Sequence, residues 1–159
     1  MLNWIKFIAF FLLSLFIVIT AIVFYNANKP FYDAQKTAIE AVKKTGQLIS
    51  IDKSEVFNGT ISMVTVYGKD EEGTEKALFV DVQTNEVLGE VVLSKGIQPD
   101  AAIETVKKEL KVHKLLHVSL GLEEDHPVWE VAFQSENGKL NYVYVFFENG
   151  EWWKRILNL

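Results

Sequence analysis

The feature that most constrains this chain is an internal repeat. AIEAVKK at residues 38–44 returns as AIETVKK at residues 102–108, identical at six of seven positions and 64 residues later. Two further pairs of landmarks lie 65 residues apart: Gly73 and Gly138, which end KDEEG and QSENG, and Glu86 and Glu151. Three landmarks in register predict two copies of one supersecondary unit packed side by side.

Each copy begins with a helix. In the first copy, an apolar stripe at helical spacing ends at Thr45-Gly46, where a glycine often terminates a helix. The stripe consists of Ala34, Ala38, Ala41 and Val42. In the second copy, Pro99 begins a helix that we expect to end near Val112. Its stripe consists of Ala102, Ile103, Val106 and Leu110.

Antiparallel strands follow each helix. Asn58-Gly59 predicts a hairpin in the first copy, and Asn149-Gly150 marks a turn in the second. The predicted strands are 50–57, 60–67, 76–83 and 87–93, then 115–120, 128–134, 140–148 and 151–158. A helix followed by such a meander must lie across one sheet face, which gives an α+β lobe. Each lobe has only about 60 residues, so its core is marginal alone and we expect the two lobes to pack together.

The amino-terminal segment is strongly apolar. No charged side chain lies between Lys6 and Lys29, and Phe7 to Phe24 contains only two polar residues. A helix that crosses a bilayer needs about 20 such residues, whereas a cleavable signal peptide has an apolar core of about 7–15. Tyr25 also makes a poor cleavage site before Ala27, so we predict an uncleaved transmembrane anchor.

The predicted organisation is a cytoplasmic tail and anchor over residues 1–29, a first lobe over 30–95 and a second lobe over 96–159. Lysines after the anchor outnumber the one before it, so the charge rule leaves the topology undecided. Lys29-Pro30 indicates a break between the anchor and the first helix of the lobe, although proline also suits a first helical turn.

Composition excludes several classes of function. The net charge is −5 and no basic block occurs, which argues against nucleic-acid binding. The chain has no cysteine, which excludes disulfides, thiolate nucleophiles, cysteine-based zinc sites and a lipoprotein anchor.

A search for catalytic motifs finds none. His113 and His117 are four residues apart but lack a third zinc ligand in sequence context. The acidic clusters at 70–72 and 123–125 lack the alternation of a calcium loop and are interpreted as solvated turns. No phosphate-binding loop or Gly-x-Ser-x-Gly elbow is present. We therefore predict no catalytic, cofactor-binding or metal-binding residue, and no enzymatic activity.

Aromatic residues dominate the second copy. LNYVYVFFE at residues 140–148 is apolar on both strand faces, so both faces are covered or one awaits a partner. Packing between the lobes is one interpretation, and a partner-binding surface is the other. The predicted partner-binding residues are Trp129, Tyr142, Tyr144, Trp152 and Trp153.

Several segments resemble known families. LFVDVQTNEVL at residues 78–88 is similar to the end of a PepSY-type repeat, with Asn85 where glycine is usual. The basic start, the anchor, KPFYDAQKTAIEAVKK, the two lobes and the terminal ENGEWWKRI together resemble the YpmB or TseB-like family of Bacillus-type Firmicutes.

That resemblance implies two cystatin-like lobes outside the cytoplasmic membrane, with the amino terminus inside. It implies regulation of cell-wall elongation through a penicillin-binding transpeptidase, and it supplies no catalytic residues. The alternative, by analogy with PepSY lobes in protease propeptides, is a peptidase inhibitor or chaperone-like regulator.

Overall fold

The computed structural model describes residues 2–159. The chain is divided into two compact units: the first ends at Ala34, and the second comprises Gln35–Leu159. The second unit contains two antiparallel four-stranded sheets, each with its strands in chain order. Helix α1 spans Leu2–Thr45 and α2 spans Pro99–Glu109, and a short 3-10 helix at Leu93–Lys95 joins the sheets. The strands are β1 Ser50–Asn58, β2 Ser62–Lys69, β3 Glu75–Asp81, β4 Val87–Val92, β5 Lys114–Glu123, β6 His126–Gln134, β7 Leu140–Phe146 and β8 Trp152–Ile156.

Helix α1 is long and apolar enough to cross a membrane. Its most apolar stretch has a mean hydropathy of 3.0, and every side chain from Trp4 to Ile19 is exposed. No other described part of the protein covers these apolar side chains, so they are suited to contact with the hydrocarbon core of a bilayer. The helix continues through Pro30 without the break that Lys29-Pro30 suggests, although proline supplies no amide hydrogen for the Asn26 carbonyl.

The repeat predicted from the sequence is present in the fold. Ala38 and Val42 of α1 are buried, and so are their counterparts Ala102 and Val106 of α2. Asn85 adopts a positive φ of 60°, matching the 75° of Gly150 at the equivalent turn 65 residues later. Asparagine tolerates this left-handed conformation better than most residues, which explains the substitution for glycine. The predicted α+β class with two tandem lobes is thus confirmed.

Some predicted element boundaries are wrong for local reasons. Strand β3 ends at Asp81 because its carboxylate accepts hydrogen bonds from the amides of Gln83 and Thr84, which turns the chain. Strand β7 ends at Phe146, whose carbonyl accepts the Gly150 amide of the next turn. Helix α2 ends at Glu109, before the predicted Val112, because Leu110 is already extended.

Both faces of the first sheet are buried. One face carries the buried residues Val64, Val66, Leu78 and Val80. By equivalence with Ala102 and Val106 of the second copy, Ala38 and Val42 of α1 are expected to cover this face. The opposite face joins a continuous core with the second lobe. Its members are Phe57, Met63, Tyr67, Ala77 and Phe79. The two lobes therefore share a core that neither could complete alone.

Strand β5 lies along that shared face at the edge of the second sheet. The Thr65 hydroxyl donates a hydrogen bond of 2.5 Å to the Leu120 carbonyl. The Leu122 amide donates to the Met63 Sδ at 3.3 Å. Side chains of the first lobe thus satisfy backbone groups that an edge strand would otherwise leave unpaired.

Candidate functional site

Three aromatic rings cluster at the edge of the second sheet. The Trp153 ring lies 4.9 Å from Phe146 and 5.1 Å from His126, measured between centroids, and His126 lies 5.6 Å from Phe146. Strand β8 is the last strand of its sheet, and β7 and the start of β6 supply the other two rings. His126 is exposed and the other two are half-buried. We call these three residues the aromatic cluster.

A groove of about 390 Å³ lies beside the aromatic cluster. One side is formed by Glu90, Val91 and Val92 of β4, and the other by residues at the ends of β6 and β7. The latter are His126, Pro127, Phe146, Phe147 and Glu148. The groove therefore runs between the two lobes, and His126 and Phe146 belong to both the groove and the cluster.

Two of the five predicted partner-binding residues are buried. The Trp129 side chain is 5% exposed, and its indole donates to the Ile97 carbonyl at 2.9 Å. Tyr144 is also 5% exposed, and its ring packs edge-on against Phe57 of the first lobe. Both side chains serve the core and the lobe junction, in agreement with the packing interpretation of the aromatic strands, and neither offers surface to a partner.

The other three predicted residues are partly accessible, and two of them lie next to each other. Tyr142 lies beside His117, with centroids 6.4 Å apart. Trp152 lies under the Arg155 guanidinium at 5.7 Å, whereas Trp153 joins the aromatic cluster. The pairing of β8 with β7 is irregular at Trp153, and both tryptophans line a pocket of about 300 Å³ at this end of the sheet. Partner binding by these residues stays a prediction.

Sequence reasoning missed His126 and Phe146 as members of this site. His126, Phe146 and Trp153 lie on three different strands, and the antiparallel pairing of these strands brings their rings together. On β6, for example, Val128 lies opposite Phe146 of β7, and His126 is two residues before Val128. The one available signal was the apolar character of both faces of residues 140–148.

The acidic cluster at 123–125 is only partly the solvated turn that we predicted. Glu124 and Asp125 form an exposed turn with positive φ, but Glu123 is 2% exposed. Its carboxylate accepts hydrogen bonds from the Thr60 amide at 2.9 Å and the Thr60 hydroxyl at 2.8 Å, and pairs with Lys154 at 3.1 Å. Burial alone would raise the pKa of Glu123, but these partners outweigh it and hold the pKa below its usual value. Glu123 is a structural link between the lobes.

The cluster at 70–72 requires a similar correction. Asp70 is largely buried and accepts hydrogen bonds from the Glu72 and Thr74 amides. Its second oxygen pairs with Lys76 at 3.3 Å. The aspartate shapes the turn between β2 and β3 and offers no calcium loop.

A second polar group lies at the lobe junction. His117 Nε2 lies 2.7 Å from Glu130 Oε1, and the Tyr144 hydroxyl also bonds to Glu130. On the first lobe, the Tyr67 hydroxyl donates to Glu55 at 3.0 Å. Burial, followed by the neighbouring carboxylates, raises the pKa of both tyrosines well above the usual value, so both stay neutral donors.

Among residues 2–159, no three His, Asp or Glu side chains are grouped so that they could hold a metal ion. The polar side chains at the junction form hydrogen bonds with one another. The groove beside the aromatic cluster is lined by both apolar and charged side chains. This arrangement is suited to binding a protein surface or peptide.

Comparison with known proteins agrees with this fold. A family model described as the cell wall elongation regulator TseB-like domain matches residues 37–81. The solved structure of the YpmB protein from Bacillus subtilis is similar, with a TM-score of 0.68 and 29% sequence identity, over 77% of this chain and 95% of that one. No curated protein matches the chain. The family description supports a regulatory role. The two matches together show that the chain is similar to the YpmB/TseB-like family, in sequence over residues 37–81 and in fold over most of its length.

Proposed function

We propose that this protein is a non-enzymatic regulator of cell-wall elongation, anchored in the cell membrane by α1 with its lobes outside and its amino terminus in the cytoplasm. We further propose that its lobes bind a penicillin-binding transpeptidase. The description of the matched family domain supports the regulatory part of this proposal. The observation that carries the binding part is the partly exposed aromatic cluster beside the groove between the lobes.

The aromatic cluster has the composition of a protein-binding surface. Tryptophan and other aromatic residues are enriched in the energetically important parts of interfaces. The exposed Lys154 and Arg155 on β8 would form a polar rim around the tryptophans.

Anchoring makes a modest interface sufficient. A regulator and a transpeptidase held in the same membrane meet at a high effective concentration, so complex formation does not require high affinity in solution. In this proposal the groove and the aromatic cluster determine the specificity for the partner, and helix α1 localises the interaction to the membrane.

Site-specific photocrosslinking in cells tests the proposal. A photoreactive amino acid replaces Trp153, Trp152 or Tyr142 in turn, and captured proteins are identified by mass spectrometry. Lys108 on α2 and Glu71 in the first lobe are exposed control positions on other surfaces. Capture of a transpeptidase from Trp153 and not from the controls supports the proposal.

Other outcomes contradict it. Capture of a peptidase from the same positions would replace the transpeptidase with the PepSY-type inhibitor alternative. If no crosslinked protein is captured from any of the three positions, although the protein is folded and abundant, these aromatic side chains do not bind a partner.

A further inference from the structure

A histidine–carboxylate pair lies at the junction between the lobes. Glu130 of β6 is 5% exposed, and its cationic partner within bridging distance among the described residues is His117 of β5, at 2.7 Å. The pair is on the sheet face that carries Tyr144, whose ring contacts Phe57 of the first lobe. The charge of a buried carboxylate is costly unless a partner neutralises it.

The other carboxylates at the junction have permanent partners. Glu55 of β1 pairs with Lys53 at 2.8 Å, and Glu123 of β5 pairs with Lys154 of β8 at 3.1 Å. Lysine keeps its charge across the physiological range, whereas histidine changes its charge there. Glu130 is therefore the junction carboxylate whose compensation depends on pH.

We propose that the His117–Glu130 pair is a pH-sensitive contact: the protonated imidazole stabilises the lobe junction, and its deprotonation loosens β5 against the first lobe. This inference concerns the junction itself and does not depend on the partner proposed above.

The groups that face His117 favour its protonated form. The hydrogen bond to Glu130 raises the pKa of His117, partial burial opposes that change, and the charges of Glu130 and of Glu55 on β1 add to it. On β7, Tyr142 faces the pair with its ring, and Tyr144 faces it with its hydroxyl. Tyr67 and Lys53 hold Glu55 in place on the first lobe, and Lys154 lies over the Tyr144 ring at 5.9 Å.

The direction of the effect follows from the raised pKa. A group whose pKa is higher in the folded state contributes stability that is complete below its unfolded value, about 6.5 for histidine. That contribution is lost as the pH rises through the folded value. The His117–Glu130 pair therefore stabilises the junction more at mildly acid pH than at alkaline pH.

Chemical unfolding of the full chain in detergent micelles tests the inference. The urea midpoint is measured at pH 5.5, 7 and 8.5 for the wild type, for His117→Gln and for the control His113→Gln, which changes an exposed histidine outside the aromatic cluster. We expect the wild type and the control to lose stability toward pH 8.5 and His117→Gln to lose much less. An equal loss in His117→Gln overturns the inference.

Two further measurements locate the effect. Amide exchange, corrected for its intrinsic dependence on pH, should accelerate in β5 by roughly threefold or more between pH 5.5 and 8.5, and less in β3. Should the variants fail to fold, titration of the His117 ring by NMR in the wild type decides the matter. A midpoint at or below the ordinary histidine value overturns the inference.

Discussion

Replacing Glu123 with alanine is expected to destabilise the protein strongly. The change leaves the Thr60 amide and hydroxyl without their acceptor and Lys154 without its carboxylate, at a site where Glu123 itself is 2% exposed. Removing one member of a buried, hydrogen-bonded ion pair costs about 3–5 kcal/mol. Lys154 is partly exposed, so water compensates its loss in part and the lower end of that range, about 3 kcal/mol, is expected.

Glu123→Gln separates charge from hydrogen bonding. The single amide oxygen can still accept from the Thr60 amide, but the NH2 group replaces the oxygen that accepts from the Thr60 hydroxyl and pairs with Lys154. The variant therefore loses the ion pair and keeps one acceptor, at a cost of about 2 kcal/mol. Glu136→Gln is the matched control, because its pair with Lys111 is 3.9 Å long and exposed on both sides and contributes less than about 1 kcal/mol. Urea unfolding followed by tryptophan fluorescence gives all three values.

The pH dependence provides an independent check. Because the pKa of Glu123 is lowered in the folded state, its contribution is present above the unfolded value, about 4.3, and is lost as the pH falls through the folded value. The wild type should therefore lose more stability on acidification than Glu123→Gln. Equal stability of Glu123→Ala and the control, or identical acid sensitivity of wild type and Glu123→Gln, would refute the argument that this carboxylate links the lobes.

Three other changes test separate parts of the structure. Gly121→Val places a side chain where a Cβ would overlap the Phe57 ring, so it should destabilise the shared core by about 1–3 kcal/mol or more in urea unfolding, and unchanged stability would contradict the close packing. Gly150→Ala should cost about 1 kcal/mol because φ is 75° there, whereas Asn85→Gly at the equivalent turn should be neutral or slightly stabilising in the same assay. Replacing residues 4–24 with an unrelated transmembrane helix should leave crosslinking from Trp153 intact, since anchoring requires length and apolarity; loss of capture in a correctly inserted protein would show that the helix sequence itself binds a partner.

The sequence was sufficient for the architecture because the relevant signals are local or repeated. Helical stripes, turn residues and the 64–65-residue spacing determine two equivalent units, and the observed strands differ from prediction mainly at their ends. Where Asp81 turns the chain, the signal was also local, but the alternation of Val80 and Val82 around Asp81 suggested a longer strand.

The candidate site could be predicted only in part, because it depends on contacts between distant residues. The partner that buries Glu123 is Thr60, 63 residues earlier, and nothing near either residue indicates the other. Trp129 and Trp153 are both large aromatic residues in strands, yet one donates to Ile97 in the core and the other lies in the aromatic cluster. Register and the packing of one lobe on the other decide which becomes surface.

The contact between Phe57 and Gly121 has a consequence for the history of the duplication. These two residues are 64 positions apart, so they occupy equivalent places in the two copies, and they also touch each other. Two copies of the first lobe would bring two phenylalanines to one space, and two copies of the second would leave that space empty. The two copies are therefore complementary where they meet: one contributes the phenylalanine, and the other contributes the glycine that leaves room for its ring.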